Sequence, residues 1–237
     1  MGRFEDLRSL YAMLDTVRHR SNGYHQLSSC GGEIDSRRRG VYFFFQPEEL
    51  RRDGTTLRIV RVGTHAISGT SRTTLWDRLR QHRGTIGGAF PGGGNHRCSV
   101  FRYHLGMALI ERDQIAGGMS KTWPEGSTAP SATRILEAPL ERSVSELLSR
   151  MPFLCVYIDD APGKDSHRRV IERNVIALLS NLNKEPIDPP SSQWLGRYSP
   201  EDKVRNSGLW NVNHVCDQYD PRGLELLGEY VVGSTRR

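Results

Sequence analysis

The sequence predicts an α/β (α+β) domain in which helices flank a small, mainly antiparallel sheet of three strands. Two short apolar runs, at 40–45 and 57–63, are separated by an Asp-Gly pair that favours a tight turn. A third apolar run follows at 153–163, and amphipathic segments surround all three. At 237 residues the chain is long enough to bury its own core, so we expect one domain with extensions.

The N-terminal half begins with an amphipathic helix over 4–20, where apolar residues recur at spacings of three and four. The polar, glycine-rich stretch 21–40 is expected to be a loop that leads into the first strand. The second strand, LRIVRVG, alternates apolar and arginine side chains, as a strand with one buried face should. A helix over 75–83 is then predicted, with a threonine as its cap and Gly84 as its end.

The remaining elements follow in order, and their predicted ranges are a helix over 99–113, a loop over 114–133, a short helix over 140–151, the strand over 153–163 and a helix over 166–183. The tail after them is rich in tryptophan, glycine and asparagine, and it is expected to be ordered but irregular. This organisation predicts three parts: a helical extension over 1–36, a core over 37–185, and a C-terminal extension over 186–237 that packs on the core.

Basic residues outnumber acidic residues in the chain. The chain has 33 lysines and arginines against 27 acidic residues, which gives a net charge of +6. Most of these basic residues are arginines, whose planar guanidinium pairs well with phosphate. On charge alone a solvated, soluble surface is the favoured interpretation, and nucleic acid is the alternative partner.

Neither a membrane segment nor a secretory signal is expected. No apolar run approaches the roughly 20 residues that a membrane helix needs. The N-terminal stretch MGRFEDLRSLYAMLD carries acidic side chains and lacks a long apolar region. We therefore expect a cytoplasmic protein with no membrane partner, whose four cysteines are reduced thiols.

Two His-x-Cys pairs offer a metal site as an alternative. His96 and Cys98 are two positions apart, as are His214 and Cys216. Side chains at this spacing share one face of an extended strand, so the four could build a tetrahedral zinc site. The spacing differs from that of zinc fingers, and the site is kept as an alternative only.

Four short motifs follow one another in an informative order. GVY at 40–42 ends in a tyrosine, RVG at 61–63 ends in a glycine, LWDRLRQH at 75–82 has an R-x-x-x-H face, and IERNVIALLSNLN at 171–183 carries a glutamate. In this order they resemble the GIY-YIG nuclease family, in the variant with an R-x-x-x-H helix that occurs among its restriction endonucleases. The resemblance covers roughly residues 39–185, and it implies a GIY-YIG-like fold and the cleavage of DNA.

The resemblance implies roles for three residues. Glu172 would bind one divalent metal, Mg²⁺ or Mn²⁺, an ion that takes few protein ligands and keeps several waters. Arg78 would clamp the scissile phosphate. Tyr42 would activate the attacking water, with a nearby cation to help its phenol act as a base. Each also has an ordinary alternative: a surface acid, a solvated arginine and a core aromatic, respectively.

Supporting roles are implied for two more residues. His82, one helical turn beyond Arg78, would assist the tyrosine or bind a phosphate oxygen; a histidine at the rim of the core is the alternative. Asn183 would brace the site near the end of the last predicted helix, and Asn181 is the alternative equivalent.

One position departs from the pattern of the family. The second signature motif normally opens with tyrosine, and this chain has Arg61 there. Arginine can bind a phosphate oxygen but cannot accept a proton. Three outcomes are open: Arg61 has a changed role, Tyr103 takes the place of the missing tyrosine, or the activity is reduced.

Basic residues outside the motifs are candidates for DNA contact, and they are His65, Arg80, Arg97, Arg197 and Arg205. In the tail, Trp194 and Trp210 either pack on the core or stack on bases. The resemblance, together with the chemistry that these residue types offer, implies a metal-dependent DNA endonuclease in restriction-like defence or DNA processing. The alternative is a nucleic-acid-binding module of the same fold that cuts weakly or not at all. Cleaving both strands of a duplex would need a homodimer or two successive nicks.

Overall fold

The structure, a computed structural model, describes residues 2–30, 38–66, 69–84, 94–126 and 128–233. Its helices are α1 (Arg3–Arg20), α2 (Leu75–Arg83), α3 (Val100–Arg112), α4 (Gly118–Thr122), α5 (Ser131–Arg150), α6 (His167–Leu179), α7 (Asp202–Ser207) and α8 (Arg222–Gly233). Its strands are β1 (His25–Gln26), β2 (Gly40–Leu50), β3 (Leu57–Gly63) and β4 (Pro152–Tyr157). The predicted α/β (α+β) class is confirmed.

The four strands form one antiparallel sheet in the order β1-β4-β2-β3. The predicted three strands are all present, and the predicted hairpin is the β2–β3 pair. The fourth strand, β1, lies in the stretch that was predicted to be a loop. It has only two residues, which pair with Phe153 and Pro152 of β4. A strand this short carries no alternating pattern in the sequence, so the prediction missed it.

The run GVYFFF is apolar throughout because both faces of β2 are buried. Tyr42 and Phe44 face a layer formed by α2, α3 and α5. Val41, Phe43 and Phe45 face the opposite layer, formed by α1, α6 and α8. The sheet is therefore a central layer with a separate apolar core on each side, and Tyr42 belongs to the core that contains α2.

The predicted helices at 4–20, 75–83, 99–113 and 166–183 are confirmed, with ends that differ by up to four residues. The predicted short helix at 140–151 was too short, because α5 begins at Ser131 and continues through Pro139. As a result α4 and the start of α5 lie inside the predicted loop. The prediction did not include α8, which packs its apolar face against α1 and α6.

The C-terminal segment packs along β3. Trp194 and Trp210 are fully buried, and their ring centroids are 5.2 Å apart. The Trp210 amide donates to the Val60 carbonyl at 2.8 Å. The Asn211 side chain accepts from the Val62 amide at 3.1 Å and donates to the Val62 carbonyl at 2.8 Å. Both tryptophans therefore pack on the core, which was the first of the two alternatives for them.

No helix in the described ranges is both long enough and apolar enough to cross a membrane.

Candidate active site

Tyr42 and His82 form a buried, hydrogen-bonded pair. Tyr42 lies on β2, His82 lies in the last turn of α2, and neither side chain is exposed. The Tyr42 hydroxyl is 2.8 Å from Nε2 of His82, and Nδ1 of His82 is 2.8 Å from the Ser99 hydroxyl. Burial lowers the pKa of His82 well below its usual value, so the ring is neutral. His82 therefore contacts the tyrosine hydroxyl, and its ring is fully buried.

Helix α2 is fixed at its start and carries Arg78 to the surface. Its capping box joins the Asp77 amide to the Thr74 hydroxyl at 3.2 Å and the Thr74 amide to the Asp77 carboxylate at 2.9 Å. The Arg78 guanidinium donates to the side-chain oxygen of Gln81 at 2.8 Å and to the Cys98 carbonyl at 3.2 Å. Both acceptors are neutral, so the charge of Arg78 is available to a phosphate.

Arg61 is buried and lies close to Tyr42. Its guanidinium donates to the Trp210 carbonyl, is close enough to Tyr42 for electrostatic interaction, and lies 5.0 Å from the ring centroid of Phe101. Burial lowers the pKa of Arg61, since water is largely excluded from the charge. No carboxylate forms a salt bridge with it among the described residues. Arg61 is therefore a buried cation whose charge is not neutralised by an acid in contact with it.

Glu172 projects from α6 toward the end of β3. Its Oε1 accepts a hydrogen bond from the Thr64 amide at 3.1 Å, and the Thr64 hydroxyl donates to the Gly40 carbonyl at 2.8 Å. Burial raises the pKa of Glu172, although Arg61 and the Thr64 amide act in the opposite direction. The carboxylate is thus held in place and lacks full charge compensation, which is a suitable environment for a metal cation.

Arg61, Arg78 and Glu172 meet in one cleft of about 790 Å³. Helices α3 and α6 and the C-terminal segment form its walls. Further polar side chains line it, among them His104, Arg169, Lys203, Asn211, Asn213 and His214. The cleft therefore combines three carboxylates, those of Glu172, Glu201 and Asp217, with several cations and hydrogen-bonding side chains, and the buried Tyr42–His82 pair lies close to Arg61.

Comparison with known families identifies the chain. The GIY-YIG domain matches residues 1–236. The chain belongs to the GIY-YIG domain family. The match includes α1 and the C-terminal segment, and so extends well beyond the motifs at 39–185. No curated protein and no solved structure matches the chain.

The position that departs from the GIY-YIG pattern lies in the cleft itself, because Arg61 lines it. Tyr103, the alternative to the missing tyrosine, lies elsewhere. Its ring is 6.5 Å from that of His96, and its carbonyl accepts a hydrogen bond from the Trp123 indole at 3.2 Å. The geometry of this GIY-YIG domain therefore favours a changed role for Arg61 over a replacement by Tyr103.

The structure does not bring Asn183 to the cleft. Asn183 is exposed on the turn after α6, where its φ of 57° is left-handed. Asn181, the alternative, is buried and bonds to the Asp188 carbonyl and to Arg3. The asparagines of this GIY-YIG domain that line the cleft are Asn211 and Asn213, which come from the C-terminal segment.

The candidates for DNA contact lie outside the cleft, and two are held by acids. Arg97 forms a bidentate salt bridge with Glu137, with N–O distances of 2.6 and 2.8 Å, and Arg205 forms a salt bridge with Asp202. Arg197 donates to two backbone carbonyls of its own segment. These three guanidinium groups therefore stabilise the chain itself.

Two further candidates differ from each other. Arg80 is exposed on α2, next to a neighbouring hollow that includes Asp77 and Gln81. His65 is buried, and neither ring nitrogen has a hydrogen-bond partner among the described residues. Burial and the nearby Arg168 lower the pKa of His65 to about 4. Arg80 is thus accessible to DNA, and His65 is not.

The zinc alternative fails on the geometry of His96. One ring nitrogen of His96 is 2.9 Å from Oε1 of Glu141, and the other is 3.0 Å from the Trp123 carbonyl. The ring also stacks on the Trp123 indole at 3.7 Å. Both nitrogens are engaged, so His96 cannot join Cys98 in binding a metal. Within the described ranges no three His, Cys, Asp or Glu side chains form a metal-binding group.

Sequence reasoning missed most of the cleft residues outside the motifs. His104, Arg169 and Lys203 belong to three different helices, and no local pattern marks them. His104 is buried, and burial and Arg61 lower its pKa to about 4. His214 was considered only as a zinc ligand. The single sequence signal for this wall was the cluster of aromatic, arginine and asparagine residues in the tail.

Proposed function

We propose that this GIY-YIG protein is a metal-dependent DNA endonuclease that hydrolyses phosphodiester bonds with the help of Mg²⁺ or Mn²⁺. One observation carries the proposal: Glu172, Arg61 and Arg78 line a single cleft, and Arg61 connects that cleft to the Tyr42–His82 pair. A carboxylate for a metal, cations for a phosphate and a phenol for a proton are the groups that this hydrolysis requires.

Charge in the cleft supports a polyanionic substrate. Arg78, Arg169 and Lys203 all line it, and none of them makes a salt bridge to an acid among the described residues. Cations left without internal partners suit the phosphates of a nucleic acid backbone, and binding then releases counterions. The three side chains lie on α2, α6 and α7, so they can contact successive phosphates from different sides.

Glu172 fits the role of the metal ligand. One of its oxygens is held by the Thr64 amide, and the other has no hydrogen-bond donor among the described residues. A hard carboxylate oxygen of this kind suits Mg²⁺, which completes its coordination with water and substrate oxygens. The ion, once bound, would polarise the phosphate and offset the negative charge that develops during hydrolysis.

The residues around Tyr42 suit a proton acceptor. The neutral ring of His82 carries one proton, on Nδ1, which donates a hydrogen bond to the Ser99 hydroxyl. Nε2 of His82 is therefore an acceptor, and it orients the Tyr42 hydroxyl by accepting a hydrogen bond from it. The charge of Arg61 interacts with the same hydroxyl group and would stabilise negative charge on its oxygen, the form in which tyrosine can accept a proton. Movement of Arg61 toward a bound phosphate would open a path from the cleft to Tyr42. Arg61 would then bind a phosphate oxygen, one of the functions of the tyrosine that opens the second signature motif in the family.

The proposed setting is restriction-like defence or DNA processing in the cytoplasm. A single cleft of this kind cuts one strand at a time. Double-strand cleavage then proceeds by two successive nicks or through a homodimer, and the ratio of nicked to linear plasmid distinguishes the two routes.

A plasmid-nicking assay tests the proposal. Purified protein is incubated with supercoiled DNA in Mg²⁺, in Mn²⁺ and in chelator, beside the variants Glu172→Gln and Tyr42→Phe. The exposed residues Glu225 and Tyr198 supply matched controls, Glu225→Gln and Tyr198→Phe. We expect metal-dependent nicking that both site variants lose by about 10²-fold or more and both controls retain.

Two results would overturn the proposal. DNA binding without nicking, in plasmid and in pooled genomic DNA, would indicate the binding module instead. Nicking that survives both site variants would place the chemistry outside this cleft. Labelled single-stranded RNA in parallel reactions shows whether RNA is also a substrate.

A further inference from the structure

One wall of the cleft is a C-terminal loop that is fixed at two points. Asn211 bonds to the amide and the carbonyl of Val62 on β3, at 3.1 and 2.8 Å. Ser180, just after α6, donates to the Val215 carbonyl at 2.7 Å. His214 lies between these two anchors and lines the cleft. Its position relative to β3 and α6 is therefore set from both sides.

The ring of His214 is oriented by a carboxylate. Nδ1 of His214 lies 3.0 Å from Oδ2 of Asp217, and the same oxygen accepts from Nε of Arg173 at 2.8 Å. The hydrogen bond from His214 is the first cause of a lowered pKa at Asp217, so this acid remains a carboxylate and Nδ1 is a donor. Among the described residues no group hydrogen-bonds to Nε2, and 28 % of the side chain is exposed.

The backbone at His214 is also unusual. Its φ of 66° lies in the left-handed region, which few residues other than glycine adopt. Such conformations persist only where the surrounding structure enforces them, and they are concentrated at functional sites. Here the two anchors and the Asp217 carboxylate hold the residue, and the result is a histidine of the cleft wall with Nδ1 fixed and Nε2 without a hydrogen-bond partner among the described residues.

We propose that His214 is the general acid of the reaction, an inference that rests on the proposed nuclease function. The oxygen of the attacking water forms the new bond to phosphorus, and the bond from phosphorus to the leaving sugar oxygen breaks. Nε2 of His214 gives its proton to that leaving oxygen, which departs as an alcohol. Tyr42 enters this step as a phenolate and takes one proton from the water, so the proton that His214 gives and the proton that Tyr42 takes balance.

The other histidines of the site are less suited to this role. His82 is fully buried, and both of its ring nitrogens are engaged. His104 lines the cleft beside Arg61, but its ring is neutral near pH 7 and cannot donate as an imidazolium. His214 instead has Asp217 in contact and Glu172 close enough for their charges to interact. Of these three histidines, His214 alone combines an Nδ1 held by a carboxylate with an Nε2 that has no hydrogen-bond partner among the described residues.

A sulfur-substituted substrate tests the proposal. A thiolate is a far better leaving group than an alkoxide and departs without a proton, so replacing the bridging oxygen at the mapped cleavage position with sulfur removes the need for an acid. The variant is His214→Asn, because asparagine tolerates the left-handed φ that this position requires. Gln218→Ala, an exposed residue just beyond the loop, is the matched control.

We expect His214→Asn to slow single-turnover cleavage of ordinary DNA by roughly 10²–10⁴-fold, and to cleave the sulfur-bridged substrate at close to the wild-type rate. Gln218→Ala should match wild type on both. An equal loss on the two substrates would overturn the proposal and assign His214 to structure or binding. A wild-type protein that cuts neither substrate would instead overturn the nuclease function on which the inference rests.

Discussion

The hydroxyl of Tyr42 lies against the backbone of Gly63, so closely that a Cβ at position 63 would be 2.2 Å from the hydroxyl oxygen. The two residues are direct partners across β2 and β3. The glycine that ends RVG is therefore required by size, because the tyrosine ring occupies the space of a side chain. The tyrosine of GVY and the glycine of RVG, the two signature motifs, are therefore in direct contact across the β2–β3 pair.

Gly63→Ala should destabilise the protein and impair cleavage. The added methyl group overlaps the Tyr42 ring in a fully packed core, and overpacking of this kind costs about 1–3 kcal/mol. We expect a lower midpoint of thermal unfolding and slower plasmid nicking, since the Tyr42–His82 pair must shift. Gly69→Ala is the control, because a Cβ there meets nothing within 4 Å. An unchanged midpoint for Gly63→Ala would contradict this packing.

Glu172→Gln should raise the stability of the metal-free protein at pH 7. Burial raises the pKa of Glu172, so the ionised carboxylate opposes folding. This cost is absent at low pH, where the group is protonated in both states. It appears as the pH rises from the pKa of the unfolded chain through the higher pKa of the folded protein. Glutamine keeps the bond from the Thr64 amide without the charge.

Mg²⁺ at one hundred times its Kd should stabilise the wild-type protein by about 3 kcal/mol and leave the stability of Glu172→Gln unchanged. Thermal unfolding with and without metal measures both effects, and an equal metal response would contradict the ligand assignment.

Replacing Arg97 or Arg169 by alanine should have opposite effects on stability and on DNA binding. Arg97→Ala leaves Glu137 buried and unpaired, and this should cost about 3–5 kcal/mol of stability with little effect on DNA affinity per folded molecule. Arg169→Ala removes a cleft cation that makes no salt bridge, so stability should stay within about 0.5 kcal/mol. Its DNA binding should weaken, and the slope of log affinity against log salt should fall by about 1. Denaturant unfolding and binding titrations at several salt concentrations test the pair, and the reverse outcome would exclude this division of roles.

His65→Leu should make the protein less sensitive to acid. The pKa of His65 falls to about 4 on folding, from roughly 6.5 in the unfolded chain, so the unfolded state takes up the proton first. Above about pH 6.5 His65 is neutral in both states and does not oppose folding. As the pH falls toward 4, the unfolded chain binds a proton at this residue that the folded protein does not, and the free energy of unfolding decreases. Between pH 7 and 5 the wild-type free energy of unfolding should drop by about 1–2 kcal/mol more than that of the variant. Urea unfolding at the two values checks this, and equal drops would show that His65 does not titrate as its burial implies.

The sequence predicted those parts of the fold that local pattern determines. Helix α1 follows from apolar spacing, α2 from its cap and Gly84, and the hairpin from two apolar runs around Asp53 and Gly54. In the candidate site, the motifs led to Tyr42, Arg78, His82 and Glu172, and the structure brings these four to the cleft or directly behind it.

The rest depends on contacts between distant parts of the chain. Asn183 was chosen because it belongs to the motif that carries Glu172, whereas the wall of the cleft is built by Asn213 and His214, about thirty residues after Asn183. Arg97 looked free in the sequence because its partner, Glu137, lies on a helix whose start was not predicted. Burial and pairing of charged residues are tertiary properties, and a single sequence carries little information about them.

The contacts of Trp210 and Asn211 with β3 have a consequence for assembly. The two residues occupy hydrogen-bonding groups of Val60 and Val62 on the side of β3 away from β2, so the chain closes this edge of its own sheet. At the opposite edge β1 offers only two residues. Exposed edge strands are the usual route by which sheets of separate molecules join. Growth of the sheet from β3 of one molecule into the next is therefore blocked by the C-terminal segment of the same chain.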